Sequence, residues 1–333
     1  MPVSLYLIAT LCVAACLAAL VLTALARRYA LARQLVDAPG ERRSHAVATP
    51  RGGGIAIVAV VLPAMIWLGV AGKSLSPVFL FGASGLALVA AIGWVDDHRP
   101  LSPWGRLAVH IVAGALLAIG IAWAGQPLWW AIVVMVLALG LINVWNFMDG
   151  INGLASTQMI LVAVGYLLLG LVGEGALLAC IVAAACAGFL PFNFPAARIF
   201  LGDVGSGALG FLAACLIALA AAPDPAVSLL WLLPLSAFLI DAALTLLSRI
   251  IRGERWWTPH VQHMYQRCVQ AGHAHAVVTG GYAAWTLLSI LVAIWMAGAP
   301  QPVIIGAFAT WYLLGVTIWL TFRIRHARRT RLS

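Results

Sequence analysis

Long apolar runs broken by short polar stretches set the pattern of this chain from one end to the other. A helix rises about 1.5 Å per residue, so roughly 20 apolar residues cross the ~30 Å hydrocarbon layer of a bilayer. Eleven runs approach or reach that length, at about residues 4–26, 54–71, 76–95, 105–124, 127–145, 155–172, 175–192, 207–222, 228–248, 278–297 and 302–322. The pattern predicts an all-α, polytopic membrane protein with about eleven transmembrane helices, forming a single domain over residues 1–333. The first run has no basic residues ahead of it and is followed by Arg27 and Arg28, so it reads as a retained helix rather than a removed leader.

With 64% hydrophobic and 9% charged residues, the sequence excludes an ordinary soluble domain. The few charges then orient it. Arginines fill alternate loops: Arg27, Arg28, Arg33, Arg42, Arg43 and Arg51; Arg99 and Arg106; Arg198; Arg249, Arg252, Arg255 and Arg267; and, in the tail, Arg323, Arg325, Arg328, Arg329 and Arg331. These are 18 of the 19 basic residues, all on one side of an eleven-helix arrangement, with Lys73 opposite. By the positive-inside rule that side is cytoplasmic, which expects a periplasmic N-terminus and a cytoplasmic C-terminus in a bacterial inner-membrane protein. Topology and anionic headgroups account for the net charge of +9, so no nucleic-acid partner is expected. Cys12, Cys16, Cys180, Cys186 and Cys215 lie in apolar runs and Cys268 has no CxxC spacing, which argues against a disulfide framework or a zinc site. No internal repeat of the kind found in many transporters is visible.

Acidic residues are scarce enough for their positions to carry information. Of the ten, Glu174 and Asp224 alone fall on the non-cytoplasmic side. Asp96 and Asp97 stand together where the run ending at Val95 meets His98-Arg99-Pro100. One carboxylate there would read as a helix end; an adjacent pair suggests a cation, and a cation suggests phosphate. Two further blocks on the same side combine acid, Asn and Gly: Asn146-Phe147-Met148-Asp149-Gly150-Ile151-Asn152-Gly153, and Asn193 through Phe200-Leu201-Gly202-Asp203-Val204-Gly205-Ser206. A fourth, Thr258-Pro259-His260-Val261-Gln262-His263-Met264-Tyr265-Gln266-Arg267, adds imidazoles and a guanidinium. Plain structural readings stand beside these: Asp149-Gly150 as a turn, Asp203 as a helix N-cap. His260 and His263 could share a face around zinc, but two ligands without a third favour contact with phosphate. Asp241 lies inside the ninth run, where an unpaired charge costs roughly 2.5 kcal/mol or more, so it is expected to be paired or to line a cavity. Taken together, the acids suit Mg2+, the Arg and His residues suit a diphosphate, and Gly150, Gly153, Gly202 and Gly205 let backbone approach it. That chemistry is phosphoryl or phosphoglycosyl transfer at a membrane face.

In order along the chain, Val95-Asp96-Asp97, Asn146 to Leu154, Phe200 to Ser206 and Pro259-His260-Val261-Gln262-His263 resemble the successive cytoplasmic motifs of the polyprenyl-phosphate N-acetylhexosamine-1-phosphate transferases, glycosyltransferase family 4. Asp37 to His45, followed by Thr49-Pro50-Arg51-Gly52-Gly53-Gly54, is similar to that family's first cytoplasmic loop. The resemblance implies Mg2+-dependent transfer, with Mn2+ as a substitute ion, of an N-acetylamino-sugar 1-phosphate from a UDP-sugar to undecaprenyl phosphate. It implies Asp203 and Asp149 as metal ligands, Asp96, Asp97 and Asp149 as catalytic carboxylates, and the adjacent pair as the group acting on the lipid phosphate. Arg51, Asn146, Asn152, Asn193, His260, His263 and Arg267 are implied as substrate contacts. The partners it implies are undecaprenyl phosphate, the UDP-N-acetylamino sugar and membrane lipids; a homodimer is left open.

Two departures from the family pattern bear on the donor and on the acid pair. Asn152 stands where many members have Asp, at a position tied to the nucleotide base, and Arg99 is expected to supply the charge of a Lys often found a little beyond the pair. The ending Tyr265-Gln266-Arg267 resembles the initiating transferases of O-antigen and other surface polysaccharides, which use donors such as UDP-GlcNAc, UDP-QuiNAc or UDP-FucNAc. The alternative within the family is a phospho-MurNAc-pentapeptide transferase, whose three consecutive His residues are absent here. From other classes, a secondary transporter of an anionic solute would place charges at the midplane and on both faces. A CDP-alcohol phosphotransferase would space its acids on consecutive helical turns. The one-sided placement of the acids favours neither.

Overall fold

The computed structural model describes residues 5–37, 48–72, 75–220, 225–255, 257–258 and 260–332, with side chains to residue 325. Glu41, Arg42 and Arg43 of the first-loop motif, Lys73, Asp224, Pro259 and the side chains of Arg328, Arg329 and Arg331 lie outside the described residues. The chain is built from helices α1 (Leu5–Ala32), α2 (Ile55–Ala71), α3 (Ser76–His98), α4 (Pro103–Trp123), α5 (Leu128–Met148), α6 (Leu154–Leu168) and α7 (Gly173–Asn193). They are followed by α8 (Gly202–Ala220), α9 (Pro225–Ser228), α10 (Ser236–Ile251), α11 (Met264–Gln270), α12 (His275–Met296) and α13 (Gln301–Leu332). Val36–Asp37 and Thr49–Pro50 pair as a two-residue antiparallel ladder, β1 and β2.

Eight helices among the described residues are long and apolar enough to cross a membrane: α1, α3, α4, α5, α7, α8, α12 and α13. Helices α2 and α6 are apolar but have 17 and 15 residues, lengths of about 25 and 22 Å. Every run expected from the hydropathy pattern therefore holds a helix, but eight of them meet the length and composition of a full span on their own, not eleven.

The ninth run departs most from expectation. Instead of one helix over residues 228–248 it forms α9, a 3-10 turn at Leu229–Leu232 and α10, with an 85° bend between the two parts. Pro234 sits in the break, where it has no N–H to give to a helical ladder and its ring disfavours helix for the residue before it. Backbone carbonyls freed inside a membrane need other donors. Tyr166 Oη donates to Trp231 O at 2.7 Å and Tyr312 Oη to Leu232 O at 2.9 Å. Ser236 Oγ accepts from Trp285 Nε1 and Trp311 Nε1 at 3.0 and 2.9 Å, so the corner is closed by a belt of aromatic donors.

Helix α8 is the centre of the bundle: every residue from Val204 to Ala218 is buried, and α3 and α5 pack closely along it. Small residues make this possible. A Cβ on Gly210 would lie 2.3 Å from Leu141 O, and one on Gly93 would lie 2.5 Å from Asp203 O. Close packing of this kind replaces the hydrophobic driving force that lipid does not supply. Helices α1 and α13 instead expose Leu, Val and Ile side chains along the outside, as lipid-facing surfaces do.

Candidate active site

Two loops distant in sequence are joined by their backbones. Phe200 N–H donates to Pro50 O at 2.7 Å, Gly53 N–H to Phe200 O at 2.9 Å and Gly54 N–H to Leu201 O at 2.8 Å. Helix α8 then begins at Gly202, with φ +76°, where a Cβ would meet Asp97 Oδ2 and Gly52 N at 2.6 Å. The orphan N–H groups at that helix start are satisfied from another helix: Asp97 Oδ1 accepts from Asp203 N–H and Oδ2 from Val204 N–H, both at 3.1 Å. Arg51 fixes the other side of Asp97, its Nη2 donating to Asp97 O at 2.5 Å and its Nε standing 3.8 Å from Oδ1.

The adjacent acids point to different tasks. Asp97 lines a cavity of about 220 Å³ at this end of the bundle. Asp96, also buried, accepts from Leu101 N–H and Arg106 Nη1, both at 2.6 Å, and does not line the cavity. Arg106 also reaches 3.9 Å from Asp203 Oδ1, so one guanidinium ties Asp96 to the head of α8. Arg99, expected to supply that charge, is exposed at the end of α3; Arg106, in the first turns of α4, supplies it.

Asn146 enters from the end of α5, its Nδ2 donating to Asp203 Oδ1 and, at 3.1 Å, to Ser206 Oγ. Asp149, one residue past α5, faces the same cavity and has no hydrogen-bond partner among the described residues. Burial first, then repulsion from Asp203 and Asp97, pushes its pKa up to about 8. Asn193 lines the cavity while bracing it: Oδ1 accepts from Gly153 N–H at 2.8 Å and Nδ2 donates to Ile199 O at 3.0 Å. Asn152 is turned outward, donating to Pro195 O at 2.9 Å and held by His275 and Thr279, away from the cavity lining.

The His block reaches the site indirectly. His263 is buried, stacked on Phe147 and Tyr265, with the His260 ring 4.9 Å away and Asp241 Oδ1 at 3.8 Å. Asp241, expected to be paired, is an anchor for this segment: it accepts from Met264 N–H (2.8 Å), Tyr282 Oη (2.6 Å), Thr245 Oγ1 (3.1 Å) and Trp319 Nε1 (3.2 Å). Tyr265 Oη donates to Phe147 O at 3.0 Å, locking the loop to the Asn146–Asp149 turn. The cavity is thereby completed by Gln266, which the sequence offered only as part of the Tyr265-Gln266-Arg267 ending and not as a site residue. Arg267 leans away, its Nε donating to Gln262 O at 3.1 Å.

Among the described residues no three His, Cys, Asp or Glu groups stand ready around a single metal position. Asp97, Asp149 and Asp203 nevertheless line one cavity, and Asp149 has no hydrogen-bond partner among the described residues. That donor set fits an ion such as Mg2+, which takes one or two carboxylates and completes its shell with substrate phosphates and water. Asp149 and Asp203 are the residues that would hold it.

The model of the family described as glycosyl transferase family 4 matches residues 78–221, the stretch that carries Asp96, Asp97, Asn146, Asp149, Asn193 and Asp203. A decaprenyl-phosphate N-acetylglucosaminephosphotransferase of Mycobacterium leprae is 29% identical over 73% of this chain and 72% of its own. A probable undecaprenyl-phosphate N-acetylglucosaminyl 1-phosphate transferase of Bacillus subtilis is 25% identical over 78% and 76%. A phospho-N-acetylmuramoyl-pentapeptide-transferase of Synechococcus is 32% identical over a shorter 49% and 53%. Residues 78–221, which supply most of the side chains framing the cavity, thus match glycosyl transferase family 4, and over about three quarters of its length the chain is similar to polyprenyl-phosphate N-acetylglucosamine-phosphate transferases.

Proposed function

We propose that this enzyme transfers an N-acetylamino-sugar 1-phosphate from a UDP-sugar to undecaprenyl phosphate, releasing UMP, at the cytoplasmic face of a bacterial inner membrane. The observation that carries the reading is the cavity in which Asp97, Asp149 and Asp203 converge with Asn146 and Arg51 at the arginine-rich end of the bundle. An oxygen of the lipid phosphate attacks the sugar-bearing phosphorus, the bond to the bridging oxygen breaks, and UMP leaves with that electron pair. Bound Mg2+ would neutralise charge on the donor diphosphate and improve UMP as a leaving group. Asp149 and Asp203 would hold the ion; Asn146 orients Asp203, and Arg106 keeps Asp96 and the head of α8 in place. Asp97 faces the cavity from the side of Arg51 and is the residue we assign to the acceptor phosphate, whose second ionisation near pH 6 leaves little proton to remove.

A donor such as UDP-GlcNAc, UDP-QuiNAc or UDP-FucNAc, and a role in starting O-antigen or another surface polysaccharide, fit the loop ending Tyr265-Gln266-Arg267. The spacing His260-Val261-Gln262-His263 argues against a phospho-MurNAc-pentapeptide donor. Transport has one feature in its favour, the broken helix. Its carbonyls at Trp231 and Leu232 accept from Tyr166 and Tyr312, so these two are not open ion ligands.

The test is UMP release by the purified protein given undecaprenyl phosphate, Mg2+ and a panel of UDP-N-acetylamino sugars plus UDP-MurNAc-pentapeptide. One N-acetylamino sugar supports release and the pentapeptide donor does not; a folded protein releasing UMP from no donor overturns the assignment. Asp203→Asn abolishes Mg2+-dependent turnover, while Asp97→Asn loses rate and keeps donor binding.

A further inference from the structure

We infer that Arg252, Arg267 and Arg323 form a binding site for the phosphate headgroup of an anionic membrane phospholipid, on the outer rim of the bundle where α10, α11 and α13 meet. The site is separate from the cavity, whose lining contains none of the three, and the inference does not depend on the reaction proposed above.

Gln262 gathers two of the cations: its Oε1 accepts from Arg252 Nη2 at 2.6 Å and its backbone oxygen from Arg267 Nε at 3.1 Å. Arg323 stands over the Trp319 ring at 4.8 Å and is an electrostatic neighbour of Arg252, Arg267 and Glu254. A fourth guanidinium, Arg249, is buried and already spent on Thr258 O (3.1 Å), Arg255 O (2.9 Å) and Glu254 (3.1 Å).

The negative side of this group is thin. Glu254 is shared between Arg249 and Arg252, each at 3.1 Å, and also accepts from Gln262 Nε2 at 2.9 Å. Asp241 is ringed by its own donors and His263. Four guanidiniums thus face two carboxylates that are already engaged, an excess of two positive charges. Arg267 Nη1 and Nη2 and the Arg323 guanidinium have no hydrogen-bond acceptor among the described residues. Burial and the nearby Arg252 charge both press the Arg267 pKa down, so like charges are held together at a cost that an anion would relieve.

Position selects a lipid over a solute. Leu247 and Ile251 on α10 and Leu320 and Ile324 on α13 are exposed on the helices that lead to Arg252 and carry Arg323, within about one or two turns of them. Basic pockets between helices at this level suit a headgroup phosphate with its acyl chains along the apolar flanks. The headgroup would brace Gln262, and through it the loop carrying His260 and His263.

The test is lipid retention by the full-length protein, read by native mass spectrometry after reconstitution in phosphatidylglycerol and phosphatidylcholine mixed equally. Wild type retains phosphatidylglycerol preferentially; Arg252→Gln and Arg323→Gln each weaken retention about fivefold, the equivalent of ~1 kcal/mol per arginine near a charged surface. Arg99→Gln, an exposed arginine at the same end of the bundle, leaves retention unchanged, and Arg323→Lys, which keeps the charge, retains most of it. Equal retention by wild type and both Gln variants overturns the site. Retention of undecaprenyl phosphate in place of phosphatidylglycerol, or full displacement of the lipid by millimolar inorganic phosphate, overturns the assignment to phospholipid.

Discussion

Asp149 is a carboxylate kept without a partner among carboxylates, and its pKa near 8 gives that arrangement a measurable signature. In the metal-free protein it is protonated below that value, so a cation must displace a proton to bind. Apparent Mg2+ affinity therefore rises with pH, by up to about tenfold per unit between pH 6 and 8, and levels above it. Calorimetric titration in buffers of different ionisation enthalpy counts the released proton. The sign for stability is opposite: this folded pKa is raised from 3.8, so the metal-free fold loses stability as pH climbs from about 4 through about 8. Mg2+ offsets the loss. Arg106→Met leaves Asp96 buried and uncompensated and lowers stability by about 3 kcal/mol, measured by thermal unfolding in detergent. The acids of the site were legible in the sequence because a membrane chain tolerates so few. Arg106 was hidden among arginines that topology alone explains, and Gln266 has no charge to mark it.

At the scale of elements, the site exists because the start of α8 is pinned between α3 and the Arg51–Gly54 turn. Gly202→Ala tests this: a side chain at φ +76° costs roughly 1–2 kcal/mol and also collides with Asp97. The expected result is a protein that still inserts, unfolds at lower temperature and turns over at least about tenfold more slowly, one decade of rate being about 1.4 kcal/mol. Most helix ends were readable from hydropathy within about four residues, but α1 and α13 run on past their apolar stretches into the arginines, and α8 starts before its apolar stretch, at Gly202. The bend at Pro234 was not readable, because the run stays apolar through it and hydropathy carries no information on backbone N–H groups. Aromatic donors on α6, α12 and α13 satisfy the corner, and nothing local in the ninth run announces them.

For the molecule as a whole, orientation rests on the arginine bias and calls for a direct measurement. In a background without native cysteines, Arg99→Cys and Arg255→Cys react with a membrane-impermeant maleimide only when the cytoplasmic face is exposed, while Gly125→Cys and Gly298→Cys react from intact cells. Labelling of all four from one side excludes the proposed topology. The backbone pairing of Gly53 and Gly54 with Phe200 and Leu201 has a bearing on biogenesis. About 150 residues separate these partners, so at ~5–20 residues per second the turn near the N-terminus waits roughly 7–30 s for the segment that completes it. Any nascent chain released before α8 emerges can be inserted yet inert, with bare peptide groups at the bilayer surface. Ribosome pausing between the codons for α2 and α8 would lengthen that interval and give quality-control proteases a recognisable, half-assembled client.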